Sequence, residues 1–230
     1  MDLKAVLFDV DFTLAKPGPD LGPEGYRRLG ERHGLDLDPA LYPEARAAAI
    51  ESLERDPELR HDEELWFDFT ERIIRGMGGD SDAARDLAVE MTRLWEHSAN
   101  FDLYDDVLPV MAELRAHGLR LGLVSNSGRD LEDFVAHHAL VVDCTLTSRL
   151  HGWTKPHPTI FQAALELLAV RPAQAAMVGD SIEDDVEGAL ALGMRAFLID
   201  REDRYAGQDH AVVERLSDLW ALPAALRLEA

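Results

Sequence analysis

The stretch Ala5-Val6-Leu7-Phe8-Asp9-Val10-Asp11-Phe12-Thr13 decides how the rest of the chain is read. Four consecutive apolar residues ended by charge mark a strand buried on both faces, as in the middle of a parallel sheet. Ligands of such sheets bind outside the carboxyl ends of the strands, where Asp9 and Asp11 stand. Val10 between them turns away, so the two carboxylates face one cleft. One can attack as a nucleophile while the other handles a proton or a metal. An Asp at a strand end also serves as a turn or helix-capping residue, so the meaning of the pair depends on what else reaches this edge.

Beyond Lys16 the apolar period changes, and helices are expected from there to about residue 105. A Pro-Gly-rich linker over Lys16 to Pro23 leads in, and helices are expected around Glu24 to Gly34 and Pro39 to Arg55. Leu65, Phe69, Ile73 and Met77 at four-residue steps predict a helix stopped by Gly76, Gly78 and Gly79. Leu87, Met91, Leu94 and Trp95 mark another after Ser81. Trp66 and Trp95 are expected in its core. From Asp106 the pattern alternates. A helix to His117 precedes a strand Leu121 to Val124, a helix Asp130 to His138 and a short strand Val142 to Thr145. There follow a helix opened by Pro158, a strand Ala175 to Val178, a helix Asp184 to Leu192 and a strand Arg195 to Leu198. This is βαβ order, and the N-terminal strand joins the same sheet. A last helix over Ala211 to Trp220 is expected to cover one face.

Composition bounds the function. With 230 residues, 47% of them hydrophobic, the chain has ample material for one α/β domain with an insertion. A formal charge of −21 argues against a nonspecific nucleic-acid binder and against docking on an anionic membrane. No stretch has the apolar length of a membrane span, and Asp9 interrupts the first apolar run too early for a signal peptide. A cytoplasmic location is therefore expected. The single cysteine, Cys144, has no partner for an internal disulfide and sits among apolar neighbours, as a packing residue would.

Three further clusters follow predicted strands. Ser125-Asn126-Ser127-Gly128 offers hydroxyl and backbone N–H groups suited to a phosphate oxygen. Lys155, in Gly152-Trp153-Thr154-Lys155-Pro156, is one of only three lysines, the others being Lys4 and Lys16. Its compact ammonium suits a site where a nucleophile and a phosphoryl group are neutralised together. Gly179-Asp180-Ser181-Ile182-Glu183-Asp184-Asp185 brings more carboxylates to the same edge. So many anions together call for a hard cation, and magnesium, held by carboxylates, substrate oxygen and waters, fits.

With these four clusters in order, the chain resembles the haloacid dehalogenase superfamily over nearly its whole length. The resemblance implies a Rossmann-like core, residues 1–15 and 100–230, with an all-helical cap over residues 16–99 inserted after the first strand. It implies Asp9 as the nucleophile that becomes an aspartyl-phosphate and Asp11 as the acid and base. Thr13 would orient Asp11. Ser125 and the Asn126 backbone would hold phosphate, and Lys155 would pair with Asp9 and phosphate. Mg2+ would be bound by Asp9, the Asp11 carbonyl and Asp180, with Asp185 or Asp184 of the doublet supporting them. Phe12 departs from the glycine that phosphatases of this family carry there.

The resemblance further implies a small phosphomonoester substrate, with phosphoglycolate, nucleotide monophosphates, flavin mononucleotide and sugar phosphates all open, and a monomer or homodimer. A hydrolytic dehalogenase needs no Asp two residues beyond its nucleophile. A phosphonate-cleaving relative needs a cap lysine, yet none lies between Lys16 and Lys155. A phosphosugar mutase would resemble its family in an Asp-Thr and a nearby His after the first motif, where Lys16-Pro17-Gly18-Pro19 stands. A noncatalytic phosphate-binding or regulatory protein is the alternative of another class.

Overall fold

The computed structural model describes residues 2–53, 56–206 and 213–228. Its centre is β1 (Ala5–Phe8), in which every residue is buried. On one side it pairs with β4 (Arg120–Ser125), which pairs with β5 (Cys144–Thr147). On the other it pairs with β6 (Ala175–Gly179), followed by β7 (Arg195–Ile199) and β8 (Glu214–Leu216). All five pairings are parallel, giving the order β5-β4-β1-β6-β7-β8 of a Rossmann-like α/β sheet.

Strand periodicity sorts the core into two layers. Val6 and Phe8, with Leu121, Leu123 and Val178, face the layer that contains α5 (Val107–Ala116) and α6 (Leu131–His137). Ala5 and Leu7, with Val124 and Met177, face α8 (Pro158–Leu167) and the short α9 (Gly188–Ala191). α6 starts where the Asp130 carboxylate accepts the Glu132 and Asp133 N–H groups, and α8 starts on Pro158, whose missing N–H costs nothing there.

The segment between Asp9 and α5 is helical, and it leaves and returns through an antiparallel ribbon of β2 (Ala15–Pro17) and β3 (Phe101–Leu103). The expected linker thus begins as a strand. Four helices follow: α1 (Pro23–Arg32), α2 (Tyr42–Glu51), α3 (Glu63–Gly76) and α4 (Ala83–Leu94). Ile73, Ile74 and Met77 of the α3 face and Leu87, Ala88 and Met91 of α4 are fully buried. Of Trp66 and Trp95, both expected in this core, Trp95 packs against it, and both are half-buried and face a cavity. The helix expected to reach Arg55 ends at Glu51, where a tighter turn closes with Leu53 N–H donating to Ile50 O at 3.1 Å. Glu54 and Arg55 lie outside the described residues.

The helix expected over Ala211 to Trp220 is overturned. Glu214–Leu216 is β8, paired with Phe197, Leu198 and Ile199, because the open edge of β7 has backbone groups to satisfy. Helical geometry resumes only where the Asp218 carboxylate accepts the Trp220 N–H, leading into α10 (Leu222–Ala225). Ala211 and Val212 lie outside the described residues. Among the described residues no helix is long and apolar enough to cross a membrane.

Candidate active site

The sheet register assembles the site. Phe8 is level with Leu123 of β4 and Val178 of β6, so three neighbouring strands end within two residues of one level, at Phe8, Ser125 and Gly179. Asp9 continues the ladder by one bond, its N–H donating to Val178 O at 2.9 Å. This brings Asp9, Ser125 and Asp180 to one edge, with Lys155 arriving from the loop before α8.

Lys155 is the hub. Its Nζ donates to Asp9 Oδ1 and to Asp185 Oδ1, both at 2.6 Å, and it is 1% exposed, so both contacts are charge-assisted bonds shielded from water. Its backbone is clamped by the Asn126 side chain, whose Oδ1 accepts Lys155 N–H at 2.7 Å while Nδ2 donates to Lys155 O at 3.0 Å. Asn126 thus serves the site through its side chain, a role that no local pattern of residues announces. Ser125 Oγ donates to Ser127 Oγ at 3.0 Å and lines the same cavity.

Asp185, not Asp184, is the buried member of the doublet. Its second oxygen accepts the Ser181 N–H at 3.1 Å across a π-helical turn, Ile182–Glu187, in place of the ordinary helix start expected near Asp184. Gly179 makes room for it: a Cβ there would lie 2.1 Å from Asp185 Oδ2. Carboxylate oxygens of Asp9, Asp180 and Asp185 fall within 4.8 Å of one another, an all-oxygen donor set of the kind a hard divalent cation takes. Asp180 is also held by Arg204, whose Nη2 donates to its Oδ2 at 2.6 Å.

The electrostatics follow from crowding. Burial pushes Asp9 up to about 7, with Asp185 adding to the rise and Lys155 offsetting part of it. Burial and the neighbouring Asp9 push Asp180 up to about 6. Asp185 is raised as well, chiefly by burial. Burial alone would lower Lys155, but the Asp185 and Asp9 carboxylates override it and hold the ammonium well above its usual range. Two cations, Lys155 and Arg204, face three carboxylates, so the ionised cluster carries excess negative charge that a divalent cation would offset.

Asp11 has different surroundings. Its Oδ1 accepts from Arg129 Nη1 at 2.8 Å. Arg129 is buried, stacks 3.7 Å over the Phe101 ring and donates its Nη2 to Trp95 O at 3.0 Å. Thr13, expected to orient Asp11, has a buried hydroxyl with no hydrogen-bond partner among the described residues. Its backbone oxygen instead accepts two bonds from Arg201, which is paired with buried Asp106. Those residues pin the turn after Asp11. Phe12 sits in it at φ 61°, the left-handed region in which a residue with a Cβ is strained, and its N–H donates to Ala15 O at 2.7 Å. The turn keeps the geometry that glycine adopts freely and projects a ring from it. Arg129, Arg201 and Asp106 went unseen in the sequence, where nothing in their spacing ties them to Asp11 or Thr13.

Over this edge lies a cavity of about 430 Å³, bounded on the far side by the helical insertion. A nucleophile candidate fixed against an ammonium, a second carboxylate on a separate support and a cation-ready cluster all open into it.

The model of the haloacid dehalogenase-like hydrolases matches residues 3–193. A phosphoserine phosphatase of Thermus thermophilus is 32% identical over 246 residues, covering 94% of this chain and 96% of its own. A HAD phosphatase from Thermococcus onnurineus has a similar structure, with a TM-score of 0.68 at 27% identity, covering 97% of this chain and 98% of its own. A 2-haloacid dehalogenase from Pseudomonas syringae is also similar, with a TM-score of 0.64 at 25% identity and 98% of both chains covered. With the family model matching across Asp9, Ser125, Lys155 and Asp180, the chain belongs to the haloacid dehalogenase-like hydrolases.

Proposed function

We propose that the chain is a magnesium-dependent phosphatase that hydrolyses a small phosphomonoester through an aspartyl-phosphate on Asp9. The observation that carries this reading is the separate support of Asp9 and Asp11. Asp9 is fixed against Lys155, while Asp11 hangs from Arg129 with its other oxygen unpartnered among the described residues. A hydrolytic dehalogenase needs the first carboxylate only. The phosphatase relatives support the same choice.

In this mechanism an Asp9 oxygen forms a bond to phosphorus as the bond to the leaving oxygen breaks. Asp11 gives that oxygen a proton, then takes one from the water that attacks the aspartyl-phosphate and releases inorganic phosphate. Lys155 neutralises Asp9 and a phosphoryl oxygen, and Ser125 with the Asn126 N–H receives another. Asp9, the Asp11 carbonyl and Asp180 would hold Mg2+, with Asp185 behind them. When bound, the ion screens the phosphoryl charge and lowers the repulsion between substrate and carboxylates. Residues 16–99 serve as a cap that closes on bound substrate, and residues 1–15 and 100–230 form the catalytic core. Such an enzyme would work in the cytoplasm on a metabolite.

The test is phosphate release from a panel of phosphomonoesters with magnesium and then with chelator, alongside Asp180→Ala. Turnover that requires magnesium and is lost in the variant is expected. Full turnover in chelator would remove magnesium from the account. Halide release from 2-haloacids without phosphate release would assign the fold's other chemistry. Binding of esters without turnover would favour the regulatory alternative.

A further inference from the structure

The far wall of the cavity identifies what enters it. We propose that the substrate is a phosphomonoester whose organic part carries a flat aromatic ring, in preference to a polyol or sugar phosphate; this rests on the phosphatase reading and narrows it.

The wall is built from rings. Trp66 and Phe69 of α3 meet edge to face at 6.0 Å, and Tyr26 of α1 and Tyr42 of α2 lie 5.3 Å apart. Phe12, projected by its left-handed turn, approaches Trp95 at 6.4 Å. Trp66, Phe69 and Trp95 are only half-buried although they sit in the interior of the molecule, because the cavity lies where further core packing would be. At about 430 Å³ it has the size of a small-ligand pocket.

The wall offers little to a polyol. Its two threonines bond each other, Thr92 Oγ1 donating to Thr70 Oγ1 at 3.1 Å. The Tyr26 hydroxyl is bonded to Thr70 and Trp95 and the Glu96 carboxylate to Arg149, which leaves, among the described residues, the Tyr42 hydroxyl and Arg46 as the polar groups of this wall for a ligand. Hydroxyls of a sugar entering here would leave water for a surface that returns few hydrogen bonds, a loss that reduces affinity for each one buried. A ring loses nothing and gains offset and edge contacts. Among the described residues Arg46 is the one cation of the insertion that lines the cavity. It lies 5.8 Å from the Phe12 ring centroid, so its guanidinium can also cover a ring.

The experiment compares primary alkyl esters, so that the leaving oxygens have similar reactivity: 2-naphthylmethyl phosphate and benzyl phosphate against glycerol 3-phosphate and a hexose 6-phosphate, with acetyl phosphate as a reference for the phosphoryl site. The kcat/KM for the naphthylmethyl ester should exceed that for the polyols by on the order of 100-fold. Trp66→Ala should shrink that ratio about tenfold, and Trp66→Phe should restore most of it. Circular dichroism melts of the variants verify folding, which Ile73, Ile74 and Met77 of the same helical face secure. Polyol esters turned over as well as the ring esters would overturn the inference, as would a ratio unmoved in folded Trp66→Ala. Turnover of acetyl phosphate alone would overturn it while leaving the phosphatase reading intact. Phosphate release from none of these compounds, acetyl phosphate included, would overturn both.

Discussion

The two walls of one cavity are held together in different ways. On the core side, charged groups are fixed by bonds of 2.6 to 2.8 Å around the ends of strands in fixed register. On the insertion side, rings meet at 5.3 to 6.4 Å and are held mainly by packing, with the Tyr26 hydroxyl bonded to Thr70 and Trp95. Chemistry that needs reacting atoms in line belongs on the first kind of support, and selectivity, which needs shape and polarity, belongs on the second. The difference also says where substitutions hurt.

The largest effect is expected at the proposed nucleophile. Asp9→Asn should lower kcat by about 10⁴-fold or more, measured as phosphate release, while no single ring substitution in the insertion approaches that loss. A ring variant as damaging as Asp9→Asn would erase the division between the walls.

Next comes Lys155→Met. It leaves the buried Asp9 and Asp185 carboxylates without their shared counter-charge and should cost about 3–5 kcal/mol in a urea titration of the metal-free protein. The loss should be smaller at pH 5 than at pH 8, because protonation of the two carboxylates relieves it. An exposed apolar side chain of the insertion such as Ile50, 48% exposed, should tolerate Ala with little change, about 0.5 kcal/mol.

Gly179→Ala sharpens the comparison at the level of a single methyl group. A Cβ 2.1 Å from Asp185 Oδ2 must displace that carboxylate, lowering stability by about 1–3 kcal/mol and weakening magnesium binding in calorimetry. Unchanged affinity would remove Asp185 from the support of the cation.

The last effect is with pH. Asp9 near 7 and Asp180 near 6, against 3.8 in the unfolded chain, mean that the metal-free fold binds more protons than the unfolded chain between those limits. Their contribution is fully present below about pH 4 and is lost as pH rises through the folded values. The gap in Tm between magnesium-saturated and metal-free protein should therefore widen from pH 4 to 7. A gap constant with pH would contradict the crowding of these carboxylates.

The same contrast explains what could be read in advance. β1, β4, β6 and β7 were legible because buried parallel strands are unbroken apolar runs, and the residues just past their ends are the ones that chemistry can use. Asp9, Ser125, Lys155 and Asp180 meet for that reason. Arg129 was not legible, since its bond to Asp11 spans 118 positions and leaves no local pattern. The Asn126 clamp was hidden behind a motif that reads equally as a turn. The cavity beside Trp66 and Trp95 was not legible because an apolar residue on the inner face of a helix gives the same periodicity whether it meets another helix or a cavity. The C-terminal strand was missed because three residues on a sheet edge carry too short a pattern, and their conformation is set by the open edge of β7.

The most direct test of the central claim is acid trapping of the wild-type protein during turnover, followed by mass spectrometry of its peptides. Phosphate on the peptide that contains Asp9, absent from Asp9→Asn, is the predicted result. Turnover by Asp9→Asn at the wild-type rate, or a trapped phosphate on any other residue, would contradict it.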